Sequence, residues 1–312
     1  TTGFTKEQLY STASYKSGDL QGIGLGRNDL TGWCFTGKDL SNASFVDATL
    51  ANADLTDAQV TGASFFGTTS KGFTSAQLYS TASYETGDLR GISLGNNDLT
   101  GWNLAGKDLS NSDFYRATLS SCDLSQTNLT NAYLWKATIA DTNLSGANLS
   151  GACLGDFNEG TGAALTNDNL SRANLSNARL PYATLRNVDL SQADLSNASF
   201  FHATFADISL TDAQVTGASF EDTTSRGFTA DHLYSTASYK SGDLRGISLG
   251  HNDLTGWDFA GRDLSGVSFD GATLAGANLT DVRVAGARFW DTTRRGFTKE
   301  QLYSTASYQA GD

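Results

Sequence analysis

Residues 43–60 read Ala43-Ser-Phe45-Val-Asp-Ala48-Thr-Leu50-Ala-Asn-Ala53-Asp-Leu55-Thr-Asp-Ala58-Gln-Val60. Every fifth residue is large and apolar, and an alanine stands two places before each. A period of five fits neither the 3.6-residue helix nor the two-residue alternation of a strand. Working outward, the series reaches back to Leu20 and on to Phe65, then runs from Leu89 to Leu154, Leu165 to Phe220 and Leu244 to Phe289. These runs hold 10, 14, 12 and 10 centres, 46 in all, and every one is Leu, Phe, Val or Ile. Alanine fills 22 of the 46 positions two residues earlier. Along a short extended segment, a centre and the residue two before it point the same way, and the residue between them points the other. One small and one large side chain per segment can therefore face a common axis, and stacked segments about 4.8 Å apart can close over it. Each Leu or Phe so buried contributes on the order of 1.5–3 kcal/mol.

The consensus is Ala-(Asp/Asn)-Leu-Ser-X. It resembles that of the pentapeptide-repeat family over nearly the whole chain. The resemblance implies an all-β fold, a right-handed quadrilateral β-helix in which each pentad makes one side and four pentads one turn. Stability then becomes a sum of neighbour terms. Pro181, the only proline, follows the centre Leu180 at a corner, where no ladder donor is lost.

A second motif interrupts the pentads. Gly3-Phe-Thr-Lys-Glu-Gln-Leu-Tyr-Ser-Thr-Ala-Ser-Tyr15 recurs from Gly72, Gly227 and Gly296. In each copy a threonine (Thr5, Thr74, Thr229, Thr298) precedes Gln8, Gln77, His232 or Gln301 by three residues, the spacing of a capping box. This predicts one short helical turn per copy, with Phe73 and Leu78 covering the axis. Thr81-Ala-Ser-Tyr84 is then expected to resume the pentads with Tyr84 as centre. The chain thus divides as one solenoid of modules 3–71, 72–226 and 227–295 with a partial module 296–312. If each insert takes three sides, the modules hold three, seven and three whole turns, with the helical segments on one face.

After three inserts the small inward position is taken by large residues: Ile23, Asn28, Trp33 and Lys38; Ile92, Asn97, Trp102 and Lys107; Ile247, Asn252, Trp257 and Arg262. We read this as a transition coil beside a wider helical one, in preference to a ligand site built on Trp33, Trp102, Trp257 and Asn28, Asn97, Asn252, because packing recurs wherever a module recurs. Residues 155–164 form a bulge between Leu154 and Leu165, which counts as one side. Its Asp156, Asn158 and Glu159 are the candidate Ca²⁺ ligands, although EF-hand spacing is absent.

Composition narrows function. A net charge of −12 from 33 acidic and 21 basic residues disfavours direct nucleic-acid binding. No apolar run is long enough to span a membrane. Cys34, Cys122 and Cys153 have neither disulfide-framework nor metal-ligand spacing. The three histidines, His202, His232 and His251, are scattered, and no group of residues suggests catalysis. Gly22-Ile-Gly24-Leu-Gly26 precedes no helix and is read as turn chemistry rather than a phosphate loop. No enzyme and no cofactor is expected. Because both ends fall inside the repeated motif, we expect a segment of a longer chain. The reading is a structural or interaction scaffold with protein partners or end-to-end self-association into fibres. Proteins with the long Phe-Thr-X-X-Gln-Leu-Tyr-Ser-Thr motif resemble exported ones, which implies a bacterial surface or secreted location. The family resemblance also implies an alternative, an acidic rod that mimics DNA and binds DNA gyrase or a topoisomerase.

Overall fold

The computed structural model describes residues 4–311. Gly3, where the first module begins, and Asp312, where the last ends, lie outside the described residues. The backbone winds as a four-sided coil. Its parallel bridges set the register: Asp39 pairs with Gln59, Ser44 with Ser64 and Asp113 with Tyr133, each twenty residues on. Four columns of centres line the axis. The first side carries Leu20, Leu40 and Val60, the second Leu25, Phe45 and Phe65, the third Leu30 and Leu50, and the fourth Phe35 and Leu55, all buried. On the second side the rings stack along the axis, Phe45 on Phe65 at 5.1 Å and Phe65 on Phe73 at 4.4 Å.

Each corner is a tight turn. At Leu40-Ser41-Asn42-Ala43, the Ala43 N–H donates to the Leu40 carbonyl at 2.9 Å. Asn42 adopts φ 58° and Gly22, at the equivalent corner one turn earlier, φ 65°. This left-handed position favours Gly, Asn and Asp, which accounts for their frequency two residues after a centre. Asp and Asn side chains just before the centres also brace the turns: Asp29 Oδ1 accepts from the Thr31 backbone N–H at 3.0 Å and hydroxyl at 2.5 Å.

Two features lengthen a turn. Ser64 pairs with Ser93 and Ser219 with Ser248, 29 residues on, and Asn143 pairs with Asn169, 26 on. The 69-residue step from Gly3 to Gly72, like that from Gly227 to Gly296, therefore comprises two ordinary turns and one long one. The 155-residue step from Gly72 to Gly227 comprises five ordinary turns, one of 26 residues and one of 29. The coil returns to the same phase each time, so every insert replaces the third and fourth sides, two and not the expected three. The Leu50 N–H donates to Lys71 O and the Ala82 N–H to Ala58 O at those places. The bulge adds no side, since Leu165 stacks on Ile139 of the third side.

Each insert holds two helices, not one: α1 (Lys6–Ser11) and α2 (Ala13–Ser17), α3 (Ser75–Tyr79) and α4 (Ala82–Thr86), α5 (Ala230–Tyr234) and α6 (Ala237–Ser241), α7 (Lys299–Tyr303) and α8 (Ala306–Ala310). All four first helices have the capping box, and His232 Nδ1 accepts from the Thr229 N–H at 3.1 Å where the other copies use glutamine. The expectation that Tyr84 resumes the pentads is corrected. Thr81 is an N-cap whose hydroxyl accepts from the Tyr84 N–H, and α4 ends at Gly87 in the left-handed region, φ 81°. A second capped helix satisfies backbone groups that a lone helix would leave open. Phe73 and Leu78 are buried over the axis.

The 26-residue turn contains the bulge. Here β1 (Thr138–Ala140), β4 (Ala164–Thr166), β5 (Thr184–Arg186) and β6 (Thr204–Ala206) form a parallel sheet on the third side. Between β1 and β4 the bulge folds as an antiparallel hairpin, β2 (Gly155–Asp156) paired with β3 (Thr161–Gly162).

Candidate interaction sites

Two kinds of place depart from the plain coil: the junctions above the inserts and the edge that bears the hairpin. At the second junction, Asn97 is buried. Its Nδ2 donates to Phe65 O at 2.8 Å and Leu94 O at 3.1 Å, and its Oδ1 accepts from the Thr69 N–H at 2.9 Å. Asn252 repeats this with Phe220 O, Leu249 O and the N–H groups of Thr223 and Thr224. Asn28 donates to Leu25 O and Gly26 O of its own turn. Asn97 and Asn252 thus meet backbone N–H groups that the change between pentad coil and helical coil would leave unmet, whereas Asn28 serves its own turn.

Trp102 packs edge-on to Phe73 at 5.8 Å and to Tyr79 at 6.3 Å. Trp257 meets Phe228 and Tyr234, and Trp33 meets Phe4 and Tyr10, at similar distances. Two stacked tyrosines then bracket one residue of the coil above. The Asn103 N–H donates to the Tyr79 hydroxyl at 2.6 Å, and the Tyr84 hydroxyl donates to Asn103 O at 2.8 Å. Cys34 and Asp258 are held in the same way by Tyr10 and Tyr15 and by Tyr234 and Tyr239. Of the large inward residues, Ile92 and Asn97 stay inside, whereas Lys107 turns out and lies 4.2 Å over the Tyr84 ring. Clefts of 530 Å³ by Thr74, Asp98 and Trp102 and of 540 Å³ by Thr229, Asp253 and Trp257 are counterparts produced by this shared packing.

The hairpin edge occurs once. Asp156, Asn158 and Glu159 do not converge on a cation. Asp156 Oδ1 accepts from the N–H groups of Asn158 at 2.7 Å and Glu159 at 3.1 Å, and Glu159 pairs with Lys136 Nζ at 2.7 Å. Among the described residues no cluster of three His, Cys, Asp or Glu could hold a metal ion. Trp135 Nε1 donates to Thr161 at 3.1 Å and fastens the hairpin to the coil below. Above, a Cβ at Gly155 would meet Pro181 O at 2.0 Å and one at Gly162 would meet Ala183 N at 2.5 Å, so only glycine lets the hairpin lie this close.

Eight aromatic residues belong to neither axis, inserts nor junctions, and all gather on this edge. Phe66, Tyr115, Trp135, Phe201 and Trp290 each directly follow a second-side centre. Tyr133 precedes Leu134, Tyr182 stands at the next corner position, and Phe157 tips the hairpin. Below the hairpin, Tyr115 lies 5.4 Å from Trp135 and 6.0 Å from Tyr133. Above it, Phe201 contacts Phe157 and Tyr182, both at 5.8 Å. Tyr133 is 36% and Phe157 47% exposed. His202 stacks on Tyr182 at 5.1 Å and pairs with Asp222 at 2.9 Å. His251 faces Glu221 at 3.7 Å on the same edge.

One buried acid escapes the sequence reading. Asp168 occupies an inward position where alanine is usual. Its carboxylate accepts from the N–H groups of Thr142 at 2.8 Å and Thr166 at 2.7 Å. Burial pushes the carboxyl up to about 7, against these two donors. Its signal in the sequence was an acid two residues before Leu170.

The chain matches the family of pentapeptide repeats in eight copies, over residues 34–69, 92–131, 122–158, 169–207, 189–224 and 253–291. No curated protein sequence matches it. Among solved structures it is similar to HetL of Nostoc sp. strain PCC 7120, a pentapeptide-repeat protein involved in heterocyst differentiation regulation. The two are 25% identical over 86% of this chain and 93% of that one, with a TM-score of 0.24. It is similar to Rfr23 of Cyanothece 51142, 27% identical over 37% of this chain and 86% of that one, with a TM-score of 0.30. A third is QnrB1, a plasmid-mediated fluoroquinolone resistance protein, 19% identical over 73% and 90% of the two chains, with a TM-score of 0.24. With pentads matched over more than half its length and carried on a four-sided β-helix, this chain belongs to the pentapeptide-repeat family.

Proposed function

We propose that this chain is a non-enzymatic structural and interaction scaffold, a stretch of a larger bacterial surface or secreted protein whose modules form one continuous solenoid and can associate end to end. The observation that carries this is the junction. The same contacts join module to module at each internal junction, so one copy of the motif supplies a face that the next coil fits. Tyr303 and Tyr308 are stacked at 4.5 Å, as are Tyr79 on Tyr84 and Tyr234 on Tyr239, the pairs that bracket a coil above. A turn carrying asparagine and tryptophan five residues apart fits that face. The partners are proteins or further copies of this chain, with no direct contact to nucleic acid.

Sedimentation velocity and negative-stain electron microscopy over a concentration series test the end-to-end part. Rods that lengthen with concentration, and shorten in a Tyr303→Ser/Tyr308→Ser variant, support it. Particles of one length at every concentration refute it.

A second reading is favoured by the first side. Its outward column carries Asp19, Asp39, Asp88, Asp108, Asp194, Asp243 and Asp263, separated by asparagine and glutamine and followed by Arg283. Such a column suits an acidic DNA mimic bound by DNA gyrase. It is broken where Arg90 pairs with Asp88 at 2.7 Å and Arg245 with Asp243 at 2.8 Å. Inhibition of gyrase supercoiling, lost when these aspartates become asparagine, would establish this reading over the scaffold.

A further inference from the structure

We propose that the edge around the hairpin is a docking site for an acidic protein segment, one that carries carboxylates beside an aromatic or aliphatic side chain. The first argument is placement. In a chain whose modules otherwise repeat their surface chemistry, the unrepeated aromatics share one of four edges, and six of the eight surround the hairpin. Tight packing explains Trp135, which is buried beneath Thr161. It does not explain Tyr133 or Phe157, whose rings open to solvent. Exposed apolar surface gathered in one place marks an interaction site.

The second argument is charge. The chain has 33 acidic and 21 basic residues, and several arginines hold a carboxylate: Arg90 on Asp88, Arg245 on Asp243, Arg288 on Asp270. Of those that do not among the described residues, Arg172, Arg186, Arg262 and Arg283 lie on other sides, and two stand beside the exposed rings. Arg116 lies over the Tyr115 ring at 5.1 Å, and Arg179 donates to Cys153 Sγ at 3.1 Å. Among the described residues neither has a carboxylate within ion-pair distance. Tyr133, Cys153 and Arg179 are successive rungs of one column, so Arg179 stands about 10 Å above Tyr133. Two unpaired guanidinium groups thus flank exposed rings, and Tyr, Trp and Arg are the side chains that anchor protein interfaces. A carboxylate completes a guanidinium, preferably with two hydrogen bonds, and an apolar side chain between the carboxylates would lie across Tyr133 and Phe157. Asp113 and Asp156 also stand beside Tyr133, so the occupant's carboxylates must be spaced to reach the two arginines. Nucleic acid, with a charge at every phosphate, would also set charge against those two acids.

This site is separate from the end-to-end contact, so each can fail alone. The probe is a synthetic peptide alternating glutamate with phenylalanine and leucine, titrated into the full chain while backbone amide resonances are recorded. Controls are the same peptide with lysine for glutamate and with serine for phenylalanine and leucine. The expected result is binding of the acidic apolar peptide, with shifts clustered at Tyr115, Tyr133, Phe157 and Arg179. Affinity should fall at least tenfold in Arg116→Glu/Arg179→Glu and in Tyr133→Ser/Phe157→Ser. All four residues are exposed or near the surface, and unchanged spectra elsewhere show that the variants fold. Equal binding of the lysine peptide, shifts confined to other sides, or no binding at millimolar peptide would overturn the proposal. So would a wild-type dimer that Tyr133→Ser dissociates, since the occupant would then be a second copy.

Discussion

The junctions and the hairpin edge are both built from aromatic and polar side chains on the same coil, yet they use them in opposite ways. At a junction the asparagine, tryptophan and tyrosine groups are all engaged. The asparagine amide meets backbone on both sides, the tryptophan wedges against Phe73 and Tyr79, and two tyrosine hydroxyls close on one residue above. The arrangement follows each of the first three inserts. On the hairpin edge the rings touch one another but not all are covered, two arginines lack carboxylates, and the set occurs once. The contrast teaches how to read a repeat protein. Repeated irregularity is architecture, because it solves a packing problem that the repeat itself creates. Irregularity that occurs once is where a particular interaction can be written.

The sharpest way to break this comparison is to cut into a junction. Phe73→Ala removes a ring stacked in the axis, so we expect a loss of about 3–5 kcal/mol, read from the denaturant midpoint. A loss under about 1 kcal/mol would mean that the junctions are not the structural element they look like. Asn97→Ala leaves the Thr69 N–H unmet and the Phe65 carbonyl with the Thr68 hydroxyl as its side-chain donor, at about 1–3 kcal/mol. Amide exchange should rise at Thr69 and not at its counterpart Thr224, because in a stacked solenoid each coil answers mainly to its neighbours.

Asp168 gives an intermediate effect with a known sign. Its carboxyl is raised from 3.8 to about 7 by burial, so the folded state holds the proton more tightly than the unfolded one. The contribution is most favourable below pH 4 and is lost as pH rises from about 4 to about 7. Asp98 and Asp253 act the other way. Their Thr100 and Thr255 hydroxyls hold them below the usual carboxylate range, so what they add is lost as pH falls below about 4. Asp168→Asn should flatten the stability profile between pH 4 and 7 and leave the acid limb as it was. The smallest expected effect is on the edge. Tyr133→Ser and Arg116→Glu should each change stability by no more than about 0.5 kcal/mol while weakening the acidic peptide tenfold or more. A large stability loss there would place the aromatics with the packing and not with a partner.

Much of this was legible beforehand because the rule of five is strict. The columns, the corner chemistry and the capped first helices follow from spacing and residue type. The second helix was not legible, for a definite reason. Thr81-Ala-Ser-Tyr84 satisfies pentad spacing as well as cap spacing, and only the tertiary context, with Tyr84 drawn onto Tyr79, decides between them. The hairpin edge was hidden for another reason. Tyr115, Trp135 and Phe201 fall at the position directly after the centre, where the consensus has serine and nothing asks for an aromatic. That they share one edge depends on carrying phase through inserts of unequal length. Asp168 looked like one more aspartate until its depth in the coil was known.

The phase-keeping turns described above, of 20, 26 and 29 residues, make orientation on this rod a stepped quantity. Gain or loss of one full turn would move everything beyond it along the axis and leave its compass bearing intact. Removal of a single pentad would swing the rest of the rod by a quarter revolution and carry Trp290 away from the bearing it shares with Trp135. Duplication and deletion in the gene are therefore filtered by geometry, and only changes that complete the circuit preserve a surface assembled from distant coils.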